Sequence, residues 1–258
     1  MVAHPEGLPL LTHVSGIRQL TAQHADLGYP VRIRGVVTYG AKTGLFLQDE
    51  TGGIYVDAKG VTLSESAGNF VEVRGRTSSG PLTPVVTQTE LRRLGAGALP
   101  EPRLLHYLDL AFAEQESRWV ALRCRIRMVV ADQGRLTFWA APEGHRFPVL
   151  IDGYDGGSPE KFIGALVDVR GVCVRRISGR QVLIGFQLLV PGMEHVTVVD
   201  SLPDPWSAPE VSVSELLRPT RGRDPNRLVR LQGVVEFQQF GSGLFLWGDG
   251  QGLYVKTA

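Results

Sequence analysis

The chain has 258 residues, enough for two or three small domains with buried cores, and its 43% hydrophobic content is ordinary for globular protein. Lys and Arg number 27 against 26 Asp and Glu, so a formal net charge of +1 excludes a global field that draws nucleic acid or an acidic membrane and leaves only local patches. Thirty-one Gly and 16 Pro, spread between short apolar-alternating runs, point to many turns and an all-β architecture.

Residues 1–7 lack the basic start and apolar stretch of a signal peptide, and no run approaches the roughly 20 apolar residues of a membrane span, so the chain as given reads as soluble. Next, Ile17 and Leu20 stand at helical spacing, and Ala22, Gln23, His24 and Ala25 favour one or two helical turns. Alternation of apolar and charged residues then predicts strands over 31–39 and 45–48, a tight turn at 49–53, and a third strand over 54–57. A variable link over 59–69 leads to strands over 70–77 and 85–89. Five short strands, three of them a meander, fit a small closed barrel of the OB type better than a seven-stranded sandwich.

The pattern then repeats. After the Pro-rich link at 99–102, Tyr107 and Leu110 and a helix-favouring stretch at 111–116 precede Val120-Ala121-Leu122-Arg123-Cys124-Arg125-Ile126, which matches Val31-Arg32-Ile33-Arg34-Gly35-Val36-Val37 at an offset of 89. Val167-Asp168-Val169-Arg170-Gly171 matches Val71-Glu72-Val73-Arg74-Gly75 at an offset of 96. Cys124 and Cys173 both fall in apolar runs of this middle copy; buried free thiols are the favoured reading, and a disulfide between them is the alternative. Beyond a second Pro-rich link at 202–205, Val213 and Leu217 precede Val229-Arg230-Leu231-Gln232-Gly233-Val234-Val235 and a copy of the meander at 243–255. The reading is thus all-β: tandem small OB-type five-stranded barrels with short bridging helices, over 14–99, 103–199 and 211–258, with the third barrel incomplete. Because the third copy carries only its first three strands, the sequence is expected to be a piece of a longer protein.

The segments VRIRGVVTYGAKTGLFLQDETGGIYVD, GNFVEVRGRTSSGPLTPVV and LVRLQGVVEF with GLFLWGDGQGLYVKT resemble the tandem OB-like repeats in the N-terminal extracytoplasmic regions of bacterial membrane sensor histidine kinases and related signalling proteins. The resemblance covers nearly the whole chain and implies a non-catalytic input region with a periplasmic or other extracytoplasmic location. Its kinase domains are absent from this sequence, and membrane contact would come only through flanking segments.

Chemistry is sparse. The six His, at 4, 13, 24, 106, 145 and 195, show no zinc-site spacing, so no metal, no cofactor and no catalytic residue is expected. Gly52-Gly53 lacks the Lys-Ser/Thr of a phosphate loop, Ser242 lacks the context of a nucleophile elbow, and the adjacent Asp49-Glu50 reads as a turn former. Binding is better supported, since OB barrels recognise ligands over strands 2 and 3 with aromatic platforms and nearby cations. The first copy offers Tyr39, Phe46 and Tyr55 with Arg32, Arg34 and Lys42. The third offers Phe237, Phe240, Phe245, Trp247 and Tyr254 with Arg230 and Lys256, and the middle copy presents Arg175, Arg176 and Arg180 in an expected hairpin loop. Alternation separates Phe46 from Leu45 and Leu47, so one set is core, and the sequence leaves open which. The expected activity is binding of a small ligand or a protein partner; the alternatives are a cytoplasmic single-stranded nucleic-acid-binding array and a structural spacer.

Overall fold

A computed structural model describes residues 7–41, 43–58, 66–141, 146–179, 183–201, 207–218, 228–239 and 243–256. His4, Lys42, His145, Arg180, Phe240 and Ser242, singled out above, lie outside the described residues, as do the whole link at 202–205 and part of the link at 59–69.

In the first copy, α1 (Val14–Arg18) and α2 (Ala22–Ala25) precede five strands: β1 (Pro30–Ala41), β2 (Gly44–Gln48), β3 (Gly53–Asp57), β4 (Asn69–Ser78) and β5 (Val85–Ala96). They close into a barrel in the order β1-β2-β3-β5-β4. Every second side chain faces inward, so Val31, Ile33, Val37, Leu45, Leu47, Ile54, Val56, Val71 and Val73 form one core, to which α1 adds Val14 and Ile17. The turn after β2 fastens that helix. One Asp49 carboxylate oxygen accepts from the Thr51 N–H (2.8 Å), the Thr51 hydroxyl (2.7 Å) and the Gly52 N–H (2.9 Å), and the other accepts from the Val14 N–H (2.9 Å). β5 outruns its predicted end by seven residues, from Thr89 to Ala96. Gln88 sits at φ 52°, which breaks the alternation, and beyond it the exposed Glu90, Arg92 and Arg93 hide the strand from a hydrophobic reading.

The second copy contains β6 (Arg103–Leu105), β7 (Trp119–Asp132), β8 (Arg135–Ala140), β9 (Phe147–Asp152), β10 (Leu166–Ile177), β11 (Leu183–Val190) and β12 (Val196–Asp200). The sheet order β12-β10-β11-β9-β8-β7-β6, with β10 also paired to β7, makes a ring of five strands flanked by two short ones. Its core draws only on residues from Leu105 to Val196, so this barrel is a self-contained packing unit. Tyr107 and Leu110 enter that core from a 3-10 turn, and the helical stretch predicted at 111–116 is a second 3-10 turn over Ala113–Gln115. Cys124 and Cys173 are buried free thiols.

The third copy contains α3 (Val213–Leu217) and a meander of β13 (Val234–Gln239), β14 (Gly243–Gly248) and β15 (Gln251–Val255). The three copies share their register. Gly35 pairs with Val71 as Cys124 pairs with Val167, and a Cβ on Gly35 or Gly233 would meet the carbonyl oxygen of Gln48 or Trp247 at 2.5 and 2.6 Å. Each first strand also carries a bulge at the same point: between Val37 and Tyr39, Ile126 and Met128, and Val235 and Phe237.

Candidate functional site

The aromatic residues of the first barrel lie outside its core. Leu45 and Leu47 fill the barrel, while Tyr39, Phe46 and Tyr55 form a row on the outer face, with ring centroids 6.2 Å apart for Tyr39–Phe46 and 5.1 Å for Phe46–Tyr55. This row is not an open stacking platform. The second barrel covers it with Trp119 and Val172, leaving Tyr39 only 3% and Phe46 only 6% exposed. Trp119 is itself held edge-on by His195 at 5.1 Å, and burial lowers the pKa of that imidazole.

Polar contacts ring the apolar seam. The Tyr39 hydroxyl donates to the Asp152 carboxylate, whose other oxygen accepts from Arg135 Nε at 2.6 Å. Burial, then this carboxylate, pushes the Tyr39 phenol well above its ordinary pKa. The Trp119 N–H donates to Gln48 Oε1 (2.7 Å), and Arg118 Nη2 donates to the Thr51 carbonyl (2.9 Å). From α1, Arg18 donates to the carbonyls of Gly53 (3.3 Å), Glu116 (3.0 Å) and Ala113 (2.6 Å), so it reaches both barrels. Its burial lowers the guanidinium pKa.

Along the seam runs a cleft of about 290 Å³ walled by Phe46, Tyr55, Leu82, Val174 and Ile177, with Glu116 and Arg175 among its polar lining residues. Residues 81–83 of the loop between β4 and β5, together with Arg175, also line a second recess of about 570 Å³, to which Arg18 and Glu114 contribute. Glu116 accepts from the Arg175 backbone N–H (2.9 Å) and Nε (3.2 Å). Burial raises its carboxyl pKa against the opposing pull of Arg175.

The structure therefore brings together three of the residues singled out in the sequence: Phe46, Tyr55 and Arg175. Arg175 and Arg176 lie in β10 rather than in a hairpin loop, with Arg175 opposite Phe186 and Arg176 opposite Gly185, and the carboxylate that Arg175 meets is internal. Arg32 and Arg34 lie elsewhere, on the outer face of β1 and β4. Arg34 Nε (2.8 Å), Arg32 Nη2 (3.2 Å) and Arg74 Nε (3.1 Å) converge on Glu72, and the two β1 arginines also border an open groove of about 660 Å³ beside His13 and Glu50. Sequence reasoning missed Arg18, Glu116, Trp119 and the 79–84 loop. A Trp directly ahead of the Val120 strand and the Gly-Pro-Leu-Thr-Pro run between two strands were the available signals. Among the described residues no three His, Cys, Asp or Glu side chains gather as a metal site.

No family model matches the chain, and no curated protein matches it. Solved structures similar to it include the hypothetical protein ygiW from E. coli, at 21% identity and TM-score 0.26 over 35% of this chain and 94% of that one. Fission yeast Pot1 with ssDNA is similar at 11% identity and TM-score 0.33, over 74% of this chain and 88% of that one. A murine DNA binding protein bound with ds DNA is similar at 10% identity and TM-score 0.32, over 67% of this chain and 98% of that one.

Proposed function

We propose that this chain is a non-catalytic binding array in which the first two barrels act as one unit and hold a small ligand in the cleft at their seam. One observation carries the reading: the cleft lies on the outer face of strands 2 and 3 beside the loop between strands 4 and 5, where OB barrels bind ligands, and the second barrel supplies its opposite wall. Its apolar walls of Phe46, Leu82, Val174 and Ile177 suit a small, largely apolar molecule, and Arg175, Glu116 and Thr83 supply polar handles that would orient it. The sequence resemblance favours the setting of such an array: the extracytoplasmic input region of a bacterial membrane signalling protein, where ligand occupancy at the seam would bias how the barrels sit.

Single-strand recognition by stacking is disfavoured because Tyr39 and Phe46, the rings it would need, are covered by Trp119 and Val172. A thermal-shift screen of small amphipathic compounds tests the main reading, using the chain and a Leu82→Glu variant that places a charge in the cleft wall. Hits should raise the unfolding midpoint of the chain and lose that effect in the variant. A screen without hits, or hits that stabilise both proteins equally, refutes the proposal. Fluorescence anisotropy with a labelled oligonucleotide should show no binding tighter than about 10 µM at physiological salt, the range of non-specific contacts.

A further inference from the structure

We infer that the outer face of β13–β15 is a docking face for another OB-type barrel, which would seat on it as the second barrel seats on the first. The inference rests on repeat equivalence and is independent of the seam ligand. Tyr39, Phe46 and Tyr55 correspond in the third copy to Phe237, Phe245 and Tyr254, and their rings stand in the same relation. Centroids are 6.3 Å apart for Phe237–Phe245 and 5.0 Å for Phe245–Tyr254, against 6.2 and 5.1 Å in the first copy. In the first copy a barrel covers the row. In the third, Phe237 is 58%, Phe245 45% and Tyr254 45% exposed.

The substitutions between the copies describe the partner. Three first-barrel residues that make polar contacts across the seam, Tyr39, Gln48 and Arg18, are replaced at the equivalent positions by Phe237, Trp247 and Leu217, all apolar. Trp247 is 44% and Leu217 47% exposed. Five large apolar side chains thus occupy positions equivalent to those facing a neighbour in the first copy, an arrangement that marks an interaction face. The occupant is a barrel whose docking end offers an apolar ridge like Trp119, Val172 and Val174, and it needs fewer polar groups around that ridge than the second barrel uses.

The second barrel, whose core is self-contained, serves as the probe. Residues 97–201, fluorescently labelled and checked by circular dichroism for a folded signal, are titrated with the full chain. Saturable binding is expected with a Kd on the order of 10–100 µM, as for a small interface lacking optimised polar contacts. Phe245→Asp in the full chain should weaken it at least tenfold. Failure to bind at about 1 mM, or equal binding by the variant, overturns the inference. Wild-type chain that self-associates in analytical ultracentrifugation, and stops doing so with Phe245→Asp, assigns the face to a second copy and overturns it too. If the isolated barrel does not fold, Phe46→Asp in the full chain frees the same ridge in place. That variant should form head-to-tail oligomers that Phe245→Asp dissolves; a monomeric Phe46→Asp chain, or oligomers indifferent to Phe245→Asp, refutes the inference.

Discussion

The backbone of Gly53 runs so close to that of Ser117 that a Cβ on Gly53 would lie 1.9 Å from the Ser117 carbonyl oxygen. The two barrels therefore touch main chain to main chain beside the cleft, and nothing flexible stands there to yield. Gly53→Ala should lower stability by about 1–3 kcal/mol, the usual cost of overpacking, and separate the unfolding of the two barrels. Urea denaturation followed by tryptophan fluorescence checks it. Gly52→Ala, whose Cβ would meet Val14 at an ordinary 3.5 Å, is the control expected to change little.

Tyr39 offers a milder test of the same seam. Tyr39→Phe removes the hydroxyl that donates to Asp152 but leaves the ring and the 2.6 Å Arg135–Asp152 pair in place. A loss of about 1 kcal/mol is expected in thermal denaturation, the net worth of one hydrogen bond. An unchanged midpoint would show that the hydroxyl contributes nothing to the joint.

The strand surface of the first barrel should make stability depend on acid. Hydrogen bonds from Arg34, aided by Arg32 and Arg74, hold the Glu72 carboxyl down to about 2 from an ordinary 4.5. A depressed carboxyl contributes stability that is fully present above its unfolded value and lost as pH falls from about 4.5 toward 2. Urea midpoints measured down that window should drop more steeply for the wild type than for Glu72→Gln. Identical slopes would remove Glu72 from the account.

Both thiols should be inert in the folded protein. Desolvation pushes Cys124 and Cys173 each up to about 12, so the thiolate that reacts is scarce at pH 8. Ellman's reagent should titrate two thiols in denaturant and almost none in buffer. Rapid native labelling of either would contradict the burial described.

The repeat, the barrel and most strand positions were legible because alternation and turn glycines carry them: Val31, Ile33 and Val37 point inward as their spacing says. The site was legible only in part. Alternation separates Phe46 from Leu45 and Leu47 but does not say which set faces a barrel interior, and it does not reveal that the other face is covered by a second barrel. Arg175 read as a loop cation because Arg175-Arg176 looks polar, whereas its backbone is a strand and Glu116, 59 residues earlier, satisfies it. Such partners meet only through the closure of both barrels.

The bulge in the first strand of each copy gives this array a way to diverge. Counting by twos from Val31, Ile33, Gly35 and Val37, the next inward position would be residue 39, and the extra residue Thr38 turns Tyr39 outward to the neighbour. The interior and the joint are thus written on separate stretches of a single strand. Position 39 can change from Tyr to the Met128 or Phe237 of its counterparts, and with it the angle or identity of the adjoining barrel, while the residues before Thr38 keep the fold. Loss of that one residue would reverse the facing of everything after it, so a single-codon deletion would erase the joint and overfill the barrel together.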